Sequence, residues 1–144
     1  MRISLFIVGA FLCHTTLFGQ QKITWKDLAD VTFTEKFFPA YGEYFLYPSY
    51  GESVKKLENK QVVIRGYFLN IVPDENLYIL SQKPMASCFF CGMAGPETAI
   101  EVQFKKKQSF KTDDILSISG TLKLNADDIE HFNYILTDCK VVRK

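Results

Sequence analysis

Hydrophobic and polar residues alternate along the second half of the chain, as is typical of β-strands. In the segment 61–72, Val62, Ile64 and Phe68 share one phase, and Gly66 falls in the same phase. A period of two places these side chains on one face of a half-buried strand. A glycine inside such a strand indicates a bulge or a sharp bend. The segment therefore predicts a strand that bends at Gly66.

Four further segments have strand character, and polar turns separate them. The five predicted strands are 61–72, 77–81, 99–104, 116–124 and 133–142. Gly120 occupies an inward position in the fourth strand, so a second bend is expected there. Strands that bend at such points can close into a small barrel, which removes exposed sheet edges.

The residues before the barrel predict short helices and an aromatic segment. Thr24 is placed to cap one or two helical turns, with Asp27 in the first turn. Ser49 and Glu52 have the spacing of a capping box, which predicts a short helix from Glu52 to Leu57 that ends near Asn59.

Eight of the chain's 21 aromatic residues lie between Phe33 and Tyr50. They could form a stacking surface for a ligand or a wrap that plugs one end of the barrel. We favour the wrap, because Pro39 and Pro48 interrupt any regular face.

The strand pattern carries a resemblance to a known fold. Residues 57–66 resemble the first strand of an OB-fold, and residues 114–120 resemble its fourth strand. The chain is similar to small exported bacterial OB-fold proteins that have no assigned activity. Two features depart from that pattern: only 105–113 is available for the usual helix between strands three and four, and a cysteine-containing loop is added between strands two and three.

We therefore expect a mainly β protein, a five-stranded OB-like barrel with an N-terminal aromatic-rich extension and one or two short helices. The extension should span residues 21–58 and pack on the barrel, which should span residues 59–144. The resemblance implies that strands three and five are neighbours and that ligands often bind near the loop between strands four and five. That loop holds a small acid–histidine cluster of Asp127, Asp128, Glu130 and His131, although acids in a turn usually face water.

Residues 1–20 have the pattern of a secretory signal peptide. Arg2 precedes an apolar run from Ile3 to Leu12, and the small residue Gly19 lies near the end. The run is shorter than the roughly 20 apolar residues that a spanning helix needs. We expect export to the bacterial periplasm or cell envelope, with no transmembrane segment after cleavage; a retained membrane anchor is the alternative.

Loss of the leader makes the chain neutral and leaves an odd number of cysteines. Removing Arg2 from the 17 Lys and Arg residues leaves 16, which equals the 16 Asp and Glu residues. Neutrality argues against nucleic-acid binding, which depends on neutralising phosphates. Cys13 and His14 are also lost, so three cysteines and one histidine remain. An odd thiol in an exported protein indicates a free thiol or a metal site.

The segment Ser87–Glu97 is the one place where residue types suggest chemistry. Cys88 and Cys91 have the spacing that lets two thiolates bind one metal ion. A zinc site would need two more ligands, for which Cys139 and His131 are the candidates. The neighbours of Cys139 along its strand are charged, however, so this thiol is expected to point into the core.

Copper(I) is the other metal candidate, since two or three soft sulfur ligands are enough for it. Met85, Cys88, Cys91 and Met93 place four sulfurs within nine residues. Met85 and Met93 are also the only methionines left after loss of the leader.

Two alternatives use the same cysteines without a metal. A disulfide could join Cys88 to Cys91, or one of them to Cys139, because the exported compartment permits it. A redox dithiol is less favoured, because Gly92 and Gly95 oppose the helix that would lower a thiol pKa.

We expect a non-enzymatic binding or accessory module whose loop takes a soft metal ion, zinc or copper(I), or a protein partner such as an envelope protein or transporter complex. The alternatives are a dithiol oxidoreductase accessory and a disulfide-stapled envelope interaction domain. No catalytic set can be assigned, since His131 has no nucleophile at a recognisable spacing.

The leader pattern predicts the N-terminus of the exported protein. Edman or mass-spectrometric sequencing of protein taken from the native cell envelope should begin at Gln20 or Gln21, because cleavage is expected after Gly19 or Gln20. An intact Met1 in a soluble cytoplasmic fraction would contradict the prediction.

Overall fold

The computed structural model of the protein describes residues 19–72 and 77–142. Apart from Gly19 and Gln20, the predicted signal peptide lies outside the described residues, as does the turn predicted at 73–76. None of the helices among the described residues is long and apolar enough to cross a membrane.

The described chain is mainly β-structure with very short helices. Its strands are β1 (Gln21–Lys22), β2 (Val31–Phe38), β3 (Glu43–Tyr50), β4 (Gln61–Val72), β5 (Leu77–Ser81), β6 (Ala99–Val102), β7 (Ile115–Leu124) and β8 (Tyr134–Val142). Within the described ranges there is one α-helix, α1 (Glu52–Lys55), and 3₁₀ turns span Trp25–Leu28, Met85–Ser87, Phe89–Cys91 and Pro96–Thr98.

Five of the strands close into a barrel, which confirms the predicted fold class. The order is β4, β5, β6, β8 and β7, and β7 returns to pair with β4. Strands β6 and β8 run parallel, while the other four pairs are antiparallel. As expected from its length, the described connection between β6 and β7 contains no helix.

Both predicted glycine bends lie where the backbone is tightly packed. Tyr67 pairs with β5 on one side and β7 on the other, so β4 changes partner directly after Gly66. A Cβ at Gly66 would lie 2.6 Å from the Ser81 carbonyl oxygen, and one at Gly120 would lie 2.8 Å from the Thr137 carbonyl oxygen. The ladder between β7 and β8 shifts register at Gly120. Only glycine fits these two approaches without movement of the neighbouring backbone.

Buried side chains form two clusters on opposite faces of the sheet. The larger one fills the barrel and includes Ile64, Phe68, Ile118 and Leu136. The smaller one lies outside the barrel wall and consists of Leu69, Ile79, Cys88 and Ala99. Strands β5 and β6 are thus buried on both faces, because the loop between them folds back over their outer surface.

The N-terminal extension packs on the barrel through specific hydrogen bonds. Thr24 is the N-cap residue of the 3₁₀ turn, as predicted, and its backbone N–H and hydroxyl each donate to the Asp27 carboxylate at 2.7 Å. The Trp25 indole N–H donates to the Arg65 carbonyl at 2.8 Å. The Tyr134 hydroxyl donates to the carbonyl of the fully buried Leu28 at 2.8 Å.

The predicted capping box of the next helix is wrong. Ser49 is paired with Thr32 inside a β-sheet, and α1 begins after Gly51. The Asp30 carboxylate caps this helix instead, by accepting the Ser53 backbone N–H at 3.3 Å. The helix is therefore shorter than predicted, although Asn59 does adopt the expected left-handed conformation, with φ of 62°.

The aromatic segment forms a regular β-hairpin, so the expectation that Pro48 interrupts any regular face is wrong. Strands β2 and β3 pair antiparallel from Val31 and Tyr50 to Phe38 and Glu43, with Pro48 inside the ladder. At the base of the hairpin, the Tyr50 hydroxyl lies 2.8 Å from the Asn125 carbonyl oxygen and 2.7 Å from that of Asn133. Phe37, Tyr41, Tyr44 and Leu46 are exposed.

Replacing Gly120 by valine should destabilise the protein by about 3 kcal/mol, since an added side chain would overpack against backbone and against the Cys139 sulfur. Urea denaturation of the mature chain measures the free energy of unfolding. Ser117→Val, on the same strand at a half-buried position, is the control and should change it by about 0.5 kcal/mol or less. Equal midpoints for the two variants would contradict the packing argument.

Candidate functional site

The loop between β5 and β6, residues 82–98, is held at both its base and its middle; we call it the cysteine loop. At the base, the Gln82 N–H donates to the Thr98 carbonyl at 2.9 Å. Further along, the Met85 N–H donates to the Asp113 carboxylate at 2.8 Å. These bonds fix the loop against the barrel, so its sulfur atoms have defined positions.

Three of the sequence-predicted ligands come together in this loop. The Cys88 and Cys91 thiols both donate to the Met85 carbonyl oxygen, at 3.1 and 3.2 Å. The Cys88 sulfur also lies 4.0 Å from the Met85 sulfur. Cys88 is buried and Cys91 is exposed, so the pair extends from the outer cluster to the surface.

The local backbone explains this convergence. Phe89–Cys91 is a single 3₁₀ turn, in which the Cys91 N–H donates to the Cys88 carbonyl at 3.1 Å. Gly92 then ends the turn in a left-handed conformation, with φ of 68°. One turn places both thiols on the same side. A single 3₁₀ turn is too short to have the macrodipole of an α-helix.

Of the remaining predicted ligands, Cys139 and His131 lie outside the cysteine loop, whereas Met93 lies on it. Cys139 belongs to the cluster inside the barrel, as its flanking charges predicted, and its thiol donates to the Leu136 carbonyl at 3.1 Å. Burial raises the pKa of this thiol to about 12. Met93 is among the most exposed apolar side chains of the described chain.

His131 is bound by a buried carboxylate that the sequence did not single out. Its Nδ1 atom lies 3.0 Å from both carboxylate oxygens of Glu101, on β6. Glu101 is only 5% exposed and also accepts the Gln103 side-chain amide at 2.8 Å and the Phe132 N–H at 3.3 Å. Hydrogen bonding to Glu101 and attraction by its charge raise the pKa of His131. Glu101 alternates with the apolar Ile100 and Val102 in the sequence, a pattern that places it on the outward face of β6. It is buried there because the β7–β8 loop covers that face.

Aromatic contacts connect the His131–Glu101 pair to the cysteine loop. The Phe132 ring centroid lies 6.4 Å from that of Phe89 and 5.8 Å from that of Phe90, which are the two residues between the cysteines. Aromatic pairs at such separations are stabilising beyond their buried area. The β7–β8 loop therefore helps to hold the turn that carries Cys88 and Cys91.

A cleft of about 400 Å³ opens between three elements, the hairpin, the cysteine loop and the β7–β8 loop. Tyr44 and Phe45 contribute from β3, Phe89 from the cysteine loop, and Asp128 and Glu130 from the β7–β8 loop. The cleft therefore combines aromatic walls with acidic groups, beside the cysteine loop.

Among residues 19–72 and 77–142, no group of three or more His, Cys, Asp and Glu side chains converges on a common point. The set that does converge, Cys88, Cys91 and Met85, is made of sulfur.

Comparisons with known proteins relate the fold only. The chain is similar to the crystal structure of a DUF3299 family protein from Pseudomonas aeruginosa PAO1, with a TM-score of 0.54 and 12% sequence identity. The match covers 88% of this chain and 98% of that one. No protein-family model matches the sequence, and a search of curated proteins finds no match.

The His131–Glu101 pair should make stability depend on pH. Because the folded pKa of His131 is raised, the pair stabilises fully below the unfolded value near 6.5, and this stabilisation is lost as pH rises through the folded pKa. The expected change is about 0.5 kcal/mol, since the His131 side chain is 45% exposed and solvent screens it.

His131→Gln and Glu101→Gln should each flatten the pH dependence of unfolding above pH 6.5, as measured by urea denaturation at several pH values. A slope that is unchanged in both variants would show that another group produces it.

Proposed function

We propose that this chain is an exported, non-enzymatic binding module that holds copper(I) on Cys88, Cys91 and Met85. The observation that carries the proposal is the approach of both thiols to the Met85 carbonyl, with the Met85 sulfur beside Cys88. Thiolate and thioether groups are the ligands that copper(I) prefers, and two or three of them suffice.

Binding would require both thiols to lose their protons, and the ion would then replace the hydrogen bonds to the Met85 carbonyl. Metal affinity should therefore rise with pH, as it does for thiolate sites in general. Zinc is the alternative ion, but it would need two further nitrogen, oxygen or sulfur ligands. The candidates for these, Cys139 and His131, lie in the barrel interior and against Glu101.

The position of the loop is suited to the delivery or capture of an ion. Cys91 is exposed, whereas Cys88 is buried in the outer cluster against which Phe89 and Phe132 pack, so an ion would enter from the Cys91 side. Met93, exposed on the same loop, would serve as an additional soft ligand during exchange. We further propose that the partner is an envelope protein or transporter complex, that the compartment is the periplasm or cell envelope, and that the chain is related to small exported OB-fold proteins.

A dithiol oxidoreductase accessory is the second candidate, and a structural disulfide is the third. All three described cysteines are free thiols, which suits a dithiol. The isolated 3₁₀ turn that carries Cys88 and Cys91 differs from the longer helix whose N-terminus such enzymes place at the reactive thiol.

Anaerobic titration of the reduced mature protein with copper(I), in competition with a coloured chelator, tests the proposal. Cys88→Ser and Cys91→Ser should each lower the affinity by more than about 100-fold, since each removes a direct ligand. Met85→Leu should lower it by about 10-fold while leaving zinc affinity unchanged.

Cys139→Ser is the matched control and should leave copper(I) affinity unchanged, because that thiol belongs to the cluster inside the barrel. Met93→Leu should reduce copper(I) affinity less than Met85→Leu. Binding of less than about a tenth of an equivalent, with a mass about two units below the reduced value after isolation, would replace the metal proposal by the disulfide. A readily reversible disulfide of mild potential would instead favour the oxidoreductase.

A further inference from the structure

The hairpin and the β7–β8 loop already hold one ammonium group between them. The Lys36 amine, on β2, lies 3.4 Å from an Asp127 carboxylate oxygen on the loop. It also lies 3.7 Å from the centre of the Tyr47 ring and 5.4 Å from that of Phe38. A carboxylate on one side and aromatic faces on the other are the two features that recognise a cation.

The cleft described above lies between the same two elements and repeats this combination. Tyr44 and Phe45 line it from the hairpin, and Asp128 and Glu130 line it from the loop. No lysine or arginine of the described chain lines it. His131 also lines it, but its charge is offset by the buried Glu101. Two carboxylates therefore leave the cleft with a negative charge beside its aromatic walls.

We propose that this cleft binds an organic ammonium ion, a small amine with an aromatic or apolar body. The amine would lie near Glu130 and Asp128, and its body would contact Tyr44, Phe45 and Phe89. A volume of about 400 Å³ lies in the range of small-molecule sites, which are mostly apolar with a few placed polar groups. The cleft is distinct from the proposed copper(I) site, because none of the three sulfur ligands, Cys88, Cys91 and Met85, lines it.

Titration with 2-phenylethylammonium, followed by amide chemical shifts of the full mature protein, tests the assignment. The shifts should concentrate at residues 44–46 and 128–133, and raising the salt concentration should weaken binding. The comparison ligand is 3-phenylpropanoate, which has a similar apolar body but the opposite charge, and it should bind at least about five-fold more weakly.

Single substitutions test separately the carboxylate and the aromatic ring that would contact the amine. Glu130→Gln should weaken amine binding by about five-fold, whereas Glu58→Gln, which removes an exposed acid outside the cleft, should leave it unchanged. Phe45→Leu keeps an apolar side chain but removes the ring, and should weaken binding by about three-fold.

The proposal is overturned if the carboxylate probe binds as tightly as the amine, or if neither probe shifts cleft resonances at millimolar concentration. Equal effects of Glu130→Gln and Glu58→Gln would also overturn it. The comparison of probes uses the wild-type chain, so the proposal stays testable even if a variant fails to fold. Loss of copper(I) binding would leave these outcomes unchanged, so the two proposals fail separately.

Discussion

Closure of the barrel depends on one long strand, β4, which changes partner in its middle. Its first half pairs with β7 and its second half with β5, and Tyr67 belongs to both ladders. Gly66 permits the change, because the Ser81 carbonyl lies too close for any side chain there. The second tight approach, at Gly120, lets β8 lie close against β7 where the register of their ladder shifts. The loops and the N-terminal extension pack on a barrel whose closure depends on the close approaches at Gly66 and Gly120.

Closure of the barrel also determines where the three cysteine thiols lie. A closed barrel has an inner core that its strands fill, so the cysteine loop can only pack on the outside. It does so over Leu69, Ile79 and Ala99, and it buries Cys88 but leaves Cys91 at the surface. Cys139, by contrast, lies on the inner face of β8. Cys88 and Cys91 therefore lie outside the barrel and Cys139 lies inside it, although the sequence analysis considered all three as ligands of one site.

The strands and their bends were predictable because a closed barrel imposes a period of two, and the glycines stand out against it. The hairpin was not predicted, because the alternation of Val31 to Thr34 stops at Glu35 and every residue from Tyr44 to Tyr47 is aromatic or apolar. Pro48 indicated a break, yet a two-stranded sheet consists of edges, where proline is tolerated. For the site, spacing alone identified Cys88, Cys91 and Met85. Glu101 escaped notice because its burial comes from a loop about 30 residues later in the chain.

That carboxylate links the two surfaces for which we propose binding. Glu101 holds the His131 ring and the Phe132 N–H, and Phe132 packs on the two phenylalanines between the cysteines. The same loop carries Asp128 and Glu130 to the cleft. Removing a single partner from a buried carboxylate leaves it under-solvated, so the loop position is costly to change. The geometry of the thiol turn and the acidic side of the cleft therefore depend on one buried side chain, Glu101, which belongs to neither of the proposed sites.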